Sequence, residues 1–128
     1  LSHLKGLKTY SQKDIISMKV DFYFTQSGRS PIQDFIQGLS KSDKARFKEV
    51  YDGLVENGLA CQRVEFRQLE GKLWEIKFTS VGGKYRIAYV MMNKDWMVWL
   101  HAFKKKTPQT PKNDLELAKK RMKEVLES

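Results

Sequence analysis

The stretch LWEIKFTSVGGKYRIAYVMMNKDWMVWLHAF, residues 73–103, decides the fold. Trp74, Ile76 and Phe78 alternate with Glu75, Lys77 and Thr79, the period of two that belongs to a strand with one polar face. Gly82-Gly83 turns the chain into Tyr85–Met92, where Tyr85, Ile87, Tyr89 and Met91 alternate with Arg86, Ala88, Val90 and Met92. Asn93-Lys94-Asp95 is the next turn, and it leads to Trp96–Phe103, apolar on both sides as a central, doubly covered strand should be. The expectation is a meander of three strands, the first beginning at Val64 where the period changes.

Outward from the meander the pattern becomes helical. Ser30-Pro31-Ile32-Gln33 supplies an N-cap, a proline where its missing N–H costs nothing, and a partner for a capping box. Ile32, Phe35, Ile36 and Leu39 follow at helical spacing. A second helix carries Phe47, Val50, Tyr51, Leu54 and Val55 on one stripe and stops at Asn57-Gly58, the two helices joining near Ser40 to Ser42. Before them Val20, Phe22 and Phe24 oppose Lys19, Asp21 and Tyr23, which predicts one more strand. After Lys104-Lys105-Lys106, Thr107-Pro108 and Thr110-Pro111 lead into a basic helix with Leu115, Ala118, Met122, Val125 and Leu126 inward. The order β-α-α-β-β-β-α predicts an α+β domain: a small, mostly antiparallel sheet with an N-terminal helical hairpin and a C-terminal helix. Helices are expected on one face, leaving the other to carry function. Residues 1–17 are polar and aperiodic and read as an N-terminal extension, a short native arm or a non-native segment, before a domain of residues 18–128.

Composition narrows the functions. With 128 residues, 41% of them hydrophobic, there is material for one core. Twenty-four Lys plus Arg against fifteen Asp plus Glu leave a formal charge of +9, so nucleic acid, an acidic membrane or an acidic protein are the natural partners. No apolar run approaches the roughly 20 residues that span a bilayer, and no secretory signal opens the chain, which predicts a soluble cytoplasmic protein without a membrane partner. Cys61 stands alone, and beside it only His3 and His101 occur, so no disulfide, structural metal or other cofactor is expected. GxSxG, HExxH, GxGxxG and paired cysteines are all missing. No helix N-terminus follows Gly82-Gly83, which therefore reads as a turn and not as a phosphate loop.

What chemistry remains is cationic. Lys77 and Arg86 lie on the polar side of the meander, and the last strand delivers Lys104, Lys105 and Lys106. Such a cluster suits a phosphodiester. Cutting RNA without metal needs a group to take the 2′-OH proton, one to hold the developing phosphorane dianion and one to protonate the departing 5′-oxygen. Lysine serves as a base only when its pKa falls, and neighbouring cations push it that way; arginine instead offers two phosphate oxygens a planar fork. The plainer reading, solvated cations on a basic protein, fits composition alone better. His101 in an apolar strand reads as a hydrogen-bonded core histidine before it reads as an acid, and Trp74, Trp99 and the tyrosines read as core.

Leu69–Phe78, Tyr85-Arg86-Ile87-Ala88-Tyr89 and Leu100–Pro108, in that order and followed by a basic helix, resemble the RelE/HigB superfamily of type II toxins, most nearly its phage-derived, HigB-like branch. The resemblance runs from Met18 through nearly the whole chain. It implies a ribosome-dependent mRNA endoribonuclease that inhibits translation, neutralised by a cognate helix-turn-helix antitoxin, with no small-molecule substrate. By position it implies Lys77, Arg86 and Lys105 as catalytic residues. Lys104 and Lys106, with Lys119, Lys120 and Arg121 of the last helix, would contact RNA and ribosome, and Glu75 and His101 would support the site. Glu75 stands where some relatives carry a second strand cation, and residues 112–128 hold no tyrosine to match one that serves some relatives, so the general acid has no assignment. Two other functions share the scaffold: a catalytically silent nucleic-acid or host-factor binding module, and the partner-binding half of a toxin–antitoxin repressor.

Overall fold

The computed structural model describes residues 17–128. The elements are β1 Lys19–Phe22, α1 Pro31–Gln37, α2 Lys41–Asn57, a 3-10 turn Gly58–Ala60, β2 Glu65–Glu70, β3 Leu73–Ser80, β4 Gly83–Asn93, β5 Trp96–Lys104 and α3 Lys112–Glu127. They build one five-stranded sheet of order β1-β5-β4-β3-β2, antiparallel except where β1 runs parallel to β5. The α+β class, the helical hairpin and the C-terminal helix are as the periodicity predicts. The view of residues 1–17 as an extension falls, but for Ser17, outside the described residues. No helix among the described residues is long and apolar enough to cross a membrane.

Three details depart from the sequence-based expectation. The meander has four strands, because Gly71, in the left-handed region at φ 55°, and Lys72 form a tight turn that divides the stretch after Val64 into β2 and β3. Phe24 lies beyond β1 and is 56% exposed, so the first strand buries Val20 and not the whole of its predicted apolar face. The helices also occupy both faces of the sheet. Ile32 of α1 and Phe47, Val50 and Leu54 of α2 pack on Ile76, Phe78, Tyr85, Ile87, Met97 and Trp99, whereas Ala118 of α3, with Leu115, Met122 and Val125, covers Leu73, Ala88, Val90, Val98 and Leu100 on the reverse side. The two-sided apolar pattern of β5 requires this second cover. The helix α3 covers only part of the reverse face; the remainder, toward the β3–β4 turn, carries Glu75 and Arg86.

Packing outweighs capping in holding these pieces. The Ser30 hydroxyl accepts the Gln33 N–H at 3.2 Å, a cap worth about 1 kcal/mol. Each of Ile32, Phe47, Val50 and Leu54, at most 1% exposed, contributes about 1.5–3 kcal/mol by burial. One polar device sits within this apolar layer. Asp43, 3% exposed in the first turn of α2, accepts hydrogen bonds from the Ser80 hydroxyl, the Gly82 N–H and the Tyr85 hydroxyl. It thereby ties the β3–β4 turn to the helix. A Cβ on Gly82 would collide with that carboxylate, and Gly83 holds φ 142° with Lys104 Cε close by, so both glycines are needed. The hydrogen bonds from Ser80, Tyr85 and Gly82 lower the Asp43 pKa, while burial first and the bond to Asp43 second push the Tyr85 hydroxyl up to about 12.

A carboxyl whose folded pKa lies below its ordinary 3.8 stabilises the fold above that value, and the contribution fades as pH falls through the folded pKa. Asp43→Asn should therefore lower the urea midpoint at neutral pH, with the gap from wild type narrowing steadily on acidification below 3.8. A gap that stays constant over this range would mean that the Asp43 charge is not what holds the turn.

Candidate nucleic-acid interface

Strand parity brings the cations together. On the reverse face Lys77 pairs across with Arg86 on one side and Glu65 on the other, and Glu75 pairs with Ala88 and Arg67. A bulge at Leu100 shifts β5 by one residue, so that His101 comes opposite Ala88 and Phe103 opposite Arg86. Lys84 and Lys105 extend the same face, joined by the Lys105 N–H donating to the Lys84 carbonyl at 2.8 Å. Glu65, Lys77, Lys84, Arg86 and Lys105 line one pocket of about 130 Å³.

Beneath that pocket lies a buried ion cluster. Glu75 is 0% exposed and Arg86 1%. Glu75 Oε1 stands 3.7 Å from both Arg67 Nε and Arg86 Nε, close enough for coulombic attraction and too far for hydrogen bonds. Glu75 Oε2 accepts from the Thr110 hydroxyl at 2.8 Å. Arg86 donates through Nη2 to the Pro108 carbonyl at 2.6 Å and through Nη1 to Thr110 Oγ1 at 3.3 Å. The two X-Pro steps of residues 107–111 thus present a carbonyl and a hydroxyl to the guanidinium, and the loop closes over the sheet.

The expected site residues separate into groups. Lys77, Arg86 and Lys105 do converge, but Arg86 is not on an open polar face: its nitrogens are turned to protein groups, and Glu75 is its buried partner. Burial first, then repulsion from Lys84, Arg86, Lys77 and Arg67, lowers the pKa of Lys105. Lys104 points to the opposite face, near Gly83 and Asp43, as alternation in an extended segment demands. Lys106 and Lys120 are exposed. Lys119 is paired with Glu70 at 2.9 Å and Glu116 at 3.8 Å, and Arg121 donates to the Leu100 carbonyl at 2.9 Å and lies over the Tyr23 ring, so α3 directs these two cations into the fold.

His101 is 15% exposed along its side chain, stacked on Phe103, and its Nε2 lies 2.7 Å from Asp114 Oδ1. Burial pushes its pKa down despite Asp114. A neutral ring with Nε2–H donating to Asp114 leaves Nδ1 as the acceptor facing Arg121 at 3.5 Å, so the histidine joins β5 to α3 and stands outside the lysine pocket. Sequence reading missed Lys84, Glu65, Arg67 and Thr110. The period of two already placed Lys84 two residues before Arg86 on one face; Glu65 and Arg67 required the Gly71 turn to be seen.

The family model for phage-derived protein Gp49-like (DUF891) matches residues 34–123, which hold every pocket residue. No curated protein matches the chain.

Removing one partner of a buried ion pair strands the other. Arg86→Ala should cost about 3–5 kcal/mol in urea denaturation, and Glu75→Ala a similar amount. A stability loss below about 1 kcal/mol for Arg86→Ala would show that the pair is solvated.

Proposed function

Because the chain belongs to the phage-derived Gp49-like family, which is associated with toxin–antitoxin modules, we propose that it is the toxin of such a module and cuts messenger RNA at the lysine pocket. The observation that carries this reading is the convergence of Lys77, Lys84 and Lys105 ammonium groups, backed by Arg86, on a pocket of about 130 Å³. Drug-sized ligands need about 300–1,000 Å³, so a pocket this small fits one phosphodiester projecting from a larger molecule. Five cations, counting Arg67 behind Glu75, face a single buried carboxylate and a single rim carboxylate there, and the surplus positive charge matches a phosphorane dianion.

In this reading Lys77 and Lys84 hold the non-bridging oxygens, and Lys105, its proton loosened by burial and by its neighbours, protonates the leaving 5′-oxygen. Arg86 acts chiefly through its positive field, since Pro108 and Thr110 each engage one of its two Nη groups and hold the guanidinium to the protein. The RelE/HigB resemblance of LWEIKF, YRIAY and HAFKKKTP extends the proposal to ribosome-bound mRNA as substrate and to a helix-turn-helix antitoxin as partner. Exposed Lys104, Lys106 and Lys120 would then meet ribosomal phosphates. The engagement of Arg86 by protein acceptors favours one rival, a silent binding module on the same scaffold.

Purified protein added to mRNA-programmed ribosomes should yield fragments with 2′,3′-cyclic or 3′-phosphate and 5′-hydroxyl ends; 5′-phosphate ends would point to a water nucleophile and contradict the assigned roles. Lys105→Ala should lower the single-turnover rate at saturating ribosomes. Lys104→Ala and Lys106→Ala should instead weaken binding and flatten its dependence on salt. Equal, purely affinity-based losses at all three positions would make these lysines interchangeable surface charges, whereas binding without any cleavage by the wild-type protein would establish the silent module.

A further inference from the structure

The pocket contains one carboxylate to which the reading above gives no work. Glu65 begins β2 directly opposite Lys77, its side chain is 78% exposed, and its Oε2 lies 3.9 Å from Lys77 Nζ at the pocket rim. An exposed pair of this kind adds about 0–1 kcal/mol to stability, so the fold does not need a carboxylate there. The other charged residues lining that pocket are all cations: Lys77 from β3, Lys84 and Arg86 from β4, and Lys105 after β5, with Arg67 two residues along the same strand as Glu65.

We propose that Glu65 is the catalytic base that accepts the 2′-hydroxyl proton, with Lys105 as its partner acid across the same pocket, and this rests on the pocket being an RNA-cleaving site. A carboxylate is ionised at neutral pH and accepts a proton at once, whereas an ammonium must first surrender one. The ring of cations also divides the labour, because the rim carboxylate takes the proton and Lys105, with cations on every side, gives one. Lys77 then serves twice, steering Glu65 and contacting phosphate.

The step balances without any further reagent. The 2′-hydroxyl proton moves to a Glu65 carboxylate oxygen as the O2′–P bond forms. The P–O5′ bond breaks, and O5′ takes the proton carried by Lys105 Nζ. The products are a 2′,3′-cyclic phosphate and a 5′-hydroxyl, with Glu65 protonated and Lys105 neutral until exchange with solvent resets both.

The test compares wild type, Glu65→Gln, Glu65→Asp and Lys105→Ala on ribosome-bound mRNA carrying either a normal cleavage site or a 5′-bridging sulfur, whose thiolate departs without protonation. Glu65→Gln should lower the single-turnover rate about 100-fold or more, leave half-saturation within a few fold of wild type, and stay equally slow on the sulfur substrate. Glu65→Asp should recover part of the rate. Lys105→Ala should be rescued by sulfur. Wild-type rates for Glu65→Gln, or sulfur rescue of that variant, would overturn the assignment of Glu65, and failure of sulfur to rescue Lys105→Ala would overturn its partner. A wild-type protein that cuts neither substrate would overturn the proposed function itself, and this inference with it.

Discussion

Glu75 is the fixed point of the reverse face. Its carboxylate is 0% exposed, with Oε1 held between Arg67 and Arg86 by charge alone and Oε2 accepting from the Thr110 hydroxyl. A carboxylate taken out of water costs several kcal/mol, and only close opposite charge and hydrogen bonds offset that cost. The arrangement therefore cannot be loosened piecemeal. Arg86 is held by Glu75 on one side and by the Pro108 carbonyl and Thr110 on the other, so residues 107–111 are pinned to the sheet and Lys105, just upstream, is brought over the end of β4. One buried anion organises a site whose open part is cationic.

The charge balance follows from this geometry. Glu75 faces two guanidiniums, so the cluster beneath the pocket keeps a positive excess, and the ammonium groups of Lys77, Lys84 and Lys105 stand above it. Burial and like charge together lower the Lys105 pKa. On the other side of the sheet Asp43 does the converse with neutral donors: Ser80, Gly82 and Tyr85 stabilise its ionised form and fix the turn that presents Lys84. Two buried acids, one on each face, thus set the shape of the same hairpin.

Much of this was legible in the chain because side-chain parity in a strand needs no tertiary information. The alternation through Trp74–Thr79 and Tyr85–Met92 put Lys77 and Arg86 on one face, and alternation past Phe103 set Lys105 apart from Lys104. Two features were hidden by local irregularity: the Gly71-Lys72 turn inside an apparently continuous period, and the bulge at Leu100 that re-aims His101. Others were hidden by distance along the chain. Nothing near Arg86 announces that Pro108 and Thr110 will fold back on it, or that Glu75, at a position expected to be polar and exposed, will be its buried counter-ion. The second helical cover was implied by β5, apolar on both sides, and the hydrophobic stripe of α3 is what supplies it.

The central claim is that this face of the sheet meets RNA in the cell and breaks it. Inducing the chain in a bacterial host, with and without the neighbouring reading frame, and mapping new 5′-hydroxyl ends across the messenger RNA pool tests it most directly. The claim predicts new ends inside translated regions that vanish when the neighbouring protein is co-produced and that are lost in Lys105→Ala. Growth and messenger RNA ends unchanged by induction of the soluble wild-type chain would contradict it.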